Sequence, residues 1–267
     1  MGNSVSKKST ILSVERAVVL LKKMSEEDTP IGVRDLARKV GYSASTVQKL
    51  LSSLQVQGFV EQDVETEGYE LGLGIFELGS SVLNQIDVHE VSRPHLEQLT
   101  EETGESSYLA LLTPDHKWYV FVDKVESNHM LRWTADIGAW RPLNCTAEGK
   151  AILACLSDKH VDYLFSEDLI RKSTPNSIVD PDELFEELDG VRENGCAYSD
   201  EEFAQGVRSV AAPIFNYLGK VIGAASVVGP KLRIDDEEVC QMCGMVKETG
   251  LSISKELGYQ KNEGFYS

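Results

Sequence analysis

VRDLARKVGYSASTVQKLLSSLQVQGFV, residues 33–60, places two amphipathic segments on either side of a glycine turn. In the first, Leu36, Ala37 and Val40 share one helical face. Gly41-Tyr42-Ser43-Ala44 interrupts the pattern, and glycine after a helix supplies the left-handed residue that a steep crossing of two helices needs. The second segment, from Ser45 onward, carries Val47, Leu50, Leu51 and Leu54 on an inner stripe. At about 100° per residue its opposite face holds Ser45, Gln48, Lys49 and Ser52, with Thr46 beside them. Small hydroxyls, an amide and one lysine can enter a major groove and meet base edges and phosphates, although a solvated face is the ordinary alternative. With Ser43, Arg38 and Lys39, these residues form a candidate DNA-contacting set.

Upstream, SVERAVVLLKKM (residues 13–24) predicts an amphipathic helix with Ala17, Leu20, Leu21 and Met24 on one face and Ser13 as its cap. Downstream, Phe59-Val60 begins a strand, residues 61–68 form a polar turn and Tyr69-Glu70-Leu71 returns as a second strand. Three helices followed by a hairpin is the order of a winged helix-turn-helix. GLGIFELG (residues 72–79) contains GxG, but Glu77 stands where a phosphate-binding fingerprint requires its third glycine. The stretch predicts instead a linker helix over 73–87, with Ile75, Leu78, Val82 and Ile86 as an apolar stripe suited to dimer contact.

These residues resemble the IclR family of transcriptional regulators. The resemblance is carried by Leu36-Ala37, Gly41, Ser45-Thr46-Val47, Leu50-Leu51, Leu54, Gly58-Phe59-Val60 and YELGLGIFELG at 69–79. At the far end it is carried by GCAYSDEEFAQGVRSVAAPIFN at 195–216, where Gly195, Ser199, Glu202, Ser209, Val210, Ala211, Ile214, Phe215 and Asn216 match. TAEGKA at 146–151 and ASVVGP at 225–230 match as well. The implied architecture is α+β: a winged helix-turn-helix over 1–72, a linker helix over 73–87, a GAF-like or profilin-like effector-binding domain over 88–260 and a tail over 261–267. The implied function is sequence-specific binding to a double-stranded DNA operator, controlled by a small metabolite, in a homodimer or dimer of dimers.

Charge sharpens this reading. The 267 residues carry a formal net charge of -17, which averaged over the chain argues against nucleic acid. Residues 1–60, however, hold nine Lys/Arg and only five Asp/Glu. The wing, 61–70, has five acids and no base, so Lys49 and the basic arm of Lys7, Lys8 and Arg16 are expected to dominate the phosphate term. Hydrophobic residues make up 42%, typical of a globular chain rather than a disordered one. No apolar run reaches the length of a membrane span or signal core, so a cytoplasmic protein without membrane attachment is expected. Five cysteines spread along such a chain read as reduced thiols, and Cys240 and Cys243, a lone CxxC, read as apolar packing rather than a metal or redox site.

Beyond Val88 the pattern predicts a helix over 91–104, strands over 105–113 and 117–126 around Pro114-Asp115-His116, and a strand at MLRWTAD, 130–136. Helices follow in TAEGKAILACL, around 159–165 and over 181–194. Strands return at 207–216 and 220–230, and a helix over 235–257 closes the domain. Thr146-Ala147-Glu148-Gly149 precedes a helix whose first N–H groups would suit a carboxylate. The resemblance adds Ser199, Ser209, Ser226 and Val228 as pocket walls, opposed by Met130, Trp133, Arg141 and Leu143. Ser199 stands where many members carry Asp, which favours an anionic ligand, and Arg141 can pair with a carboxylate in bidentate geometry. No GxSxG, HExxH or Walker sequence is present, and the sequence neighbours Cys145 and His129 do not make a dyad. No enzyme activity, cofactor or metal is expected.

Overall fold

Gly41, at φ 73°, closes one helix and turns the chain into the next, and the N-terminal part of this computed structural model is arranged around it. The structure describes residues 11–84 and 87–260. The chain falls into two units, residues 1–85 and 86–267. The first contains α1 (Leu12–Met24), α2 (Val33–Val40), α3 (Ala44–Val56), β1 (Val60–Gln62), β2 (Tyr69–Leu71) and α4 (Leu73–Asn84). Leu20, Met24, Leu36, Ala37, Val47, Leu51, Val60 and Tyr69 are buried together as its core. At roughly 1.5–3 kcal/mol per large apolar side chain, this cluster fixes the angle between α2 and α3. The two strands pair antiparallel, Val60 opposite Leu71, forming the wing.

Two local expectations change. Helix α1 starts one residue early, because the amides of Val14 and Glu15 turn back onto the Ile11 carbonyl; Ser13 therefore sits inside the first turn and caps nothing. The glycines of GLGIFELG serve close packing. A Cβ on Gly72 or Gly74 would lie 2.4 or 2.7 Å from the Gly58 carbonyl oxygen, so α4 can begin directly against the α3–β1 turn only with glycine there. On α4, Leu73, Phe76 and Leu78 are exposed and Ile75 is half-buried. The Val82 side chain, Ile86, Lys7, Lys8 and the 261–267 tail lie outside the described residues.

The second unit contains α5 (Asp87–Thr103), β3 (Ser106–Leu112), β4 (Tyr119–Val125), β5 (Trp140–Arg141), α6 (Ala147–Leu153), α7 (Asp158–Ser166), α8 (Pro181–Asn194), β6 (Ala197–Asp200), β7 (Val207–Phe215), β8 (Val221–Pro230) and α9 (Asp236–Glu256). Six strands form one antiparallel sheet in the order β5-β4-β3-β8-β7-β6. Along β7, alternate residues face opposite layers. Val210 and Ala212 pack with Leu99 of α5 and Met242 and Val246 of α9, whereas Ala211 joins Ala147, Ile152, Leu184 and Leu188 of α6 and α8. Helices against both faces of an antiparallel sheet give an α+β fold.

The stretch 130–136 is not a strand. Its backbone is satisfied by a side chain: Tyr108 Oη donates to the Trp133 carbonyl at 3.2 Å and accepts from the Ala135 N–H at 3.3 Å. The edge strand on that side is the two-residue β5. Strand β6 was not anticipated, since Ala-Tyr-Ser-Asp has no apolar alternation to announce it. The cysteines also depart from expectation. Cys243 is disulfide-bonded to Cys196, 47 residues away, while Cys145, Cys155 and Cys240 are free and Cys240 is exposed rather than packed in apolar surroundings.

Candidate functional site

In the first unit, Ser43 begins α3. Its Oγ accepts from the Thr46 N–H at 3.2 Å and lies 3.1 Å from Ser45 Oγ, so the three hydroxyls form one cluster at the helix start. Ser45, Gln48, Lys49 and Ser52 are exposed and Thr46 is half-buried, which puts the expected residues on a single outer face. Gln48 Nε2 donates to Tyr69 Oη at 3.2 Å, tying that face to the wing. Ser52 Oγ donates to the Gln48 carbonyl. The cations are not equivalent. Arg38 pairs with Asp35 and Lys39 with Glu27, whereas Lys49 has no acid partner among the described residues. Arg16 sits over the Tyr42 ring, 5.3 Å from its centroid. In the acidic wing, the Thr66 hydroxyl and amide hold the Asp63 carboxyl below its usual range, so that acid stays charged.

In the second unit a narrow cleft lies over the sheet. Its walls come from strand register. Ser199 of β6 lies opposite Ser209 of β7, which lies opposite Val228 of β8, so three wall residues form one cross-strand row. Ser226 is fully buried, two residues before Val228 on β8. Tyr119 and Arg141 are register partners on β4 and β5. Phe121, Trp133, Phe203 and Thr146 complete the lining.

Polar groups in this cavity are under-satisfied. Glu148, only 2% exposed, receives a 3.3 Å hydrogen bond from Tyr119 Oη on Oε2 and has no partner on Oε1. Burial pushes its carboxyl up, and the Ser226 and Tyr119 hydroxyls and the Arg141 charge only partly oppose that. Arg141 has a buried Nε without a partner; its guanidinium lies 5.0 Å from the Phe203 ring centroid and donates weakly, at 3.3 Å, to the Trp140 carbonyl. Native proteins seldom leave buried donors and acceptors unmet, and Glu148 and Arg141 bring two such atoms to the lining of one cavity, which marks a place shaped for something else.

Lys150, buried beneath the cavity, holds the surroundings in place. Its ammonium donates to Glu187 Oε1 of α8 at 2.7 Å and to Glu202 Oε1 at 2.6 Å, fixing the segment that carries Phe203. Gly149 permits α6 to pass over the Leu143 backbone, since a Cβ there would lie 2.4 Å from the Leu143 oxygen.

Of the expected pocket residues, Trp133, Arg141, Thr146, Glu148, Ser199, Ser209 and Val228 line the cavity. Met130 does not; it is fully exposed, because 130–136 is a loop rather than a strand that would aim it inward. Leu143 and Ala147 belong to the core behind the wall, and Ser226 is fully buried on β8 outside the lining. The idea of open amides at the start of α6 also needs revision, because the Thr146 side chain accepts from the Gly149 N–H at 3.0 Å. Sequence reading missed Tyr119, Phe121 and Phe203. The first two were signalled by their alternation along one strand face, whereas Phe203, in an irregular turn, had no periodic signal. Cys145 is buried against Ser173 at 3.6 Å, and desolvation pushes its thiol up to about 11, which removes it as a nucleophile. Among the described residues no group of His, Cys, Asp or Glu is placed to hold a metal ion. No described helix is long and apolar enough to cross a membrane.

Comparison with known proteins accounts for both units. The IclR helix-turn-helix domain matches residues 13–64, and the bacterial transcriptional regulator IclR C-terminal domain matches residues 80–255. The HTH-type transcriptional regulator XynR of Escherichia coli is 32% identical over 249 residues, 93% of this chain and 98% of that protein. The transcriptional repressor IclR of the same organism is 32% identical over 248 residues, covering 93% and 90%. An IclR-type regulator structure from Alicyclobacillus acidocaldarius superposes with a TM-score of 0.83 at 26% identity, covering 94% of this chain and all of that one. The chain belongs to the IclR family: it is a DNA-binding transcriptional regulator with a helix-turn-helix unit and a C-terminal effector domain, and not an enzyme.

Proposed function

We propose that the effector is a small organic acid whose carboxylate is received by Arg141, with its body against Tyr119, Phe121, Trp133 and Phe203. The observation that carries this reading is the buried, unpartnered Arg141 Nε of a residue that lines the same narrow space as Glu148. A guanidinium already braced on an aromatic ring can take a carboxylate in a paired, charge-assisted geometry. Glu148, its carboxyl pushed up by burial, does not repel an anion as a fixed charge would. Ser199 and Ser209 offer hydroxyls to the rest of the ligand.

On the DNA side, Ser43, Ser45, Thr46, Gln48, Lys49 and Ser52 face the operator's major groove, with Arg38 and Lys39 beside them. The functional division runs 1–72 for DNA binding, 73–87 for the linker helix and 88–260 for effector binding. In a cytoplasmic homodimer or dimer of dimers acting as a repressor, effector binding shifts the spacing of two α3 helices relative to two half-sites. Arg141→Ala tests the effector assignment. Operator affinity without effector stays within about twofold, whereas the shift in operator affinity caused by a binding carboxylate, found by thermal-shift screening of the wild type, falls at least about tenfold. An unchanged shift removes Arg141 from the site.

A further inference from the structure

Three cysteines border one groove formed by α8, β6 and α9. Cys196, buried where α8 turns into β6, is bonded to Cys243 of α9 with their Cα atoms 5.8 Å apart. Cys240 lies one helical turn before Cys243, carries a free thiol and is exposed. Residues three apart on a helix have Cα atoms separated by about 5 Å, inside the roughly 4.4–6.8 Å range of disulfides. Their Cβ atoms must draw together, which costs some unwinding, and Cys240 lies only in the second turn of α9. Cys243 therefore has two partners within reach, one that ties α9 to β6 and one that does not.

We propose that Cys196, Cys240 and Cys243 form a thiol–disulfide exchange centre in which Cys243 alternates between Cys196 and Cys240, releasing or fastening the start of β6. The Cys240 thiol gives up its proton and the thiolate attacks Cys243 Sγ. The Cys243–Cys196 bond breaks, a Cys240–Cys243 bond forms, and Cys196 leaves as a thiolate and takes up a proton. One disulfide is exchanged for another with no net oxidation. Lys247 crosses Gly195, its Cε 3.0 Å from where a Cβ would stand, and lines the same groove as the three cysteines. A dithiol reductant would release Cys196 by a second route, taking two electrons and two protons to both cysteines while itself closing to a disulfide.

The release matters because of what β6 carries. It is an edge strand whose one strand partner among the described residues is β7, held at one end by the disulfide and at the other by Asp200, which Arg208 and Lys231 grip. Ser199, three residues after Cys196, is a wall of the effector cavity. The link to effector binding rests on the proposed function, but the exchange itself does not.

The test uses the full chain, equilibrated in glutathione redox buffers, alkylated with N-ethylmaleimide and mapped by peptide mass spectrometry. In oxidising buffer the linkage is Cys196–Cys243. Beside it a Cys240–Cys243 species with alkylated Cys196 is present, in a ratio to the Cys196–Cys243 form that is the same at every buffer potential because the two are isomers, and Cys240→Ser abolishes that species while keeping the Cys196–Cys243 bond. Amide hydrogen exchange at residues 197–199 speeds up about tenfold in the rearranged protein. Passage from the Cys196–Cys243 form directly to the fully reduced chain, with Cys240 alkylated throughout, overturns the exchange. Unchanged protection at 197–199 in the rearranged protein overturns the coupling to β6. Neither measurement involves effector or operator, so each can fail without touching the proposed function.

Discussion

At Glu148 a carboxyl is held where an ion is poorly solvated, and the direction of its shift makes a stability statement. The native state keeps this proton above the ordinary value of 4.5, so it binds more protons than the unfolded chain through the interval above that value, and its contribution becomes less favourable as pH rises through it. Glu148→Gln removes the titration. The variant is expected to be more stable than the wild type at pH 7, by about 1 kcal/mol, and to lose that advantage below pH 4, as measured by thermal melting at the two pH values. A smaller advantage at pH 7 than at pH 4 would mean that the carboxyl is not held neutral. Met130 and Phe203 mark the limits of reading single residues. Met130 is a pocket wall that the resemblance implies, but it is exposed, on a loop whose backbone the Tyr108 hydroxyl, reaching in from elsewhere, helps to satisfy. Phe203 lines the cavity because a buried ion triad 52 residues across the sequence, Lys150 to Glu202, draws its segment inward.

At the scale of elements, helices declared themselves through their stripes. The segment at α3 was legible because Val47 and Leu51 recur at helical spacing and Gly41 ends the helix before it, so its outer face followed without a tertiary contact. Pairings between distant strands were not legible. That Ser199, Ser209 and Val228 form one row depends on register, and β6 had no alternation to set one. Across α2 and α3 the ion pairs separate cations that the sequence leaves equal. Lys49→Ala is expected to lower operator affinity and reduce the slope of log affinity against log salt by about one. Lys39→Ala, already engaged by Glu27, is expected to change that slope by less than half as much, with fluorescence anisotropy over a salt series as the measurement. For α6, Gly149→Ala forces a methyl into the Leu143 carbonyl and is expected to destabilise the effector unit by about 1–3 kcal/mol, read from its denaturant midpoint. Unaltered stability would show that this backbone contact is loose.

For the whole molecule, the charge of -17 was a poor guide until it was divided, because residues 61–267 carry the excess acid. Within residues 1–60, Arg38, Lys39 and Lys23 each pair with an acid, whereas Lys49 of α3 has no acid partner among the described residues. Non-specific affinity should therefore be low and steeply salt-dependent. If effector and operator act on one equilibrium, each changes the affinity of the other by the same factor. Calorimetric titration of effector with and without operator is expected to show the ratio seen when operator is titrated with and without effector.

The six-stranded sheet ends in β5, two residues long, and β6, four residues long and closed by the Asp200–Arg208–Lys231 charges. Rims this short and charged offer little backbone for another molecule's strand to extend. Such rims disfavour a backbone ladder shared between copies of the sheet, which would lock them together, and they guard an acidic α+β protein against strand-by-strand fibril growth.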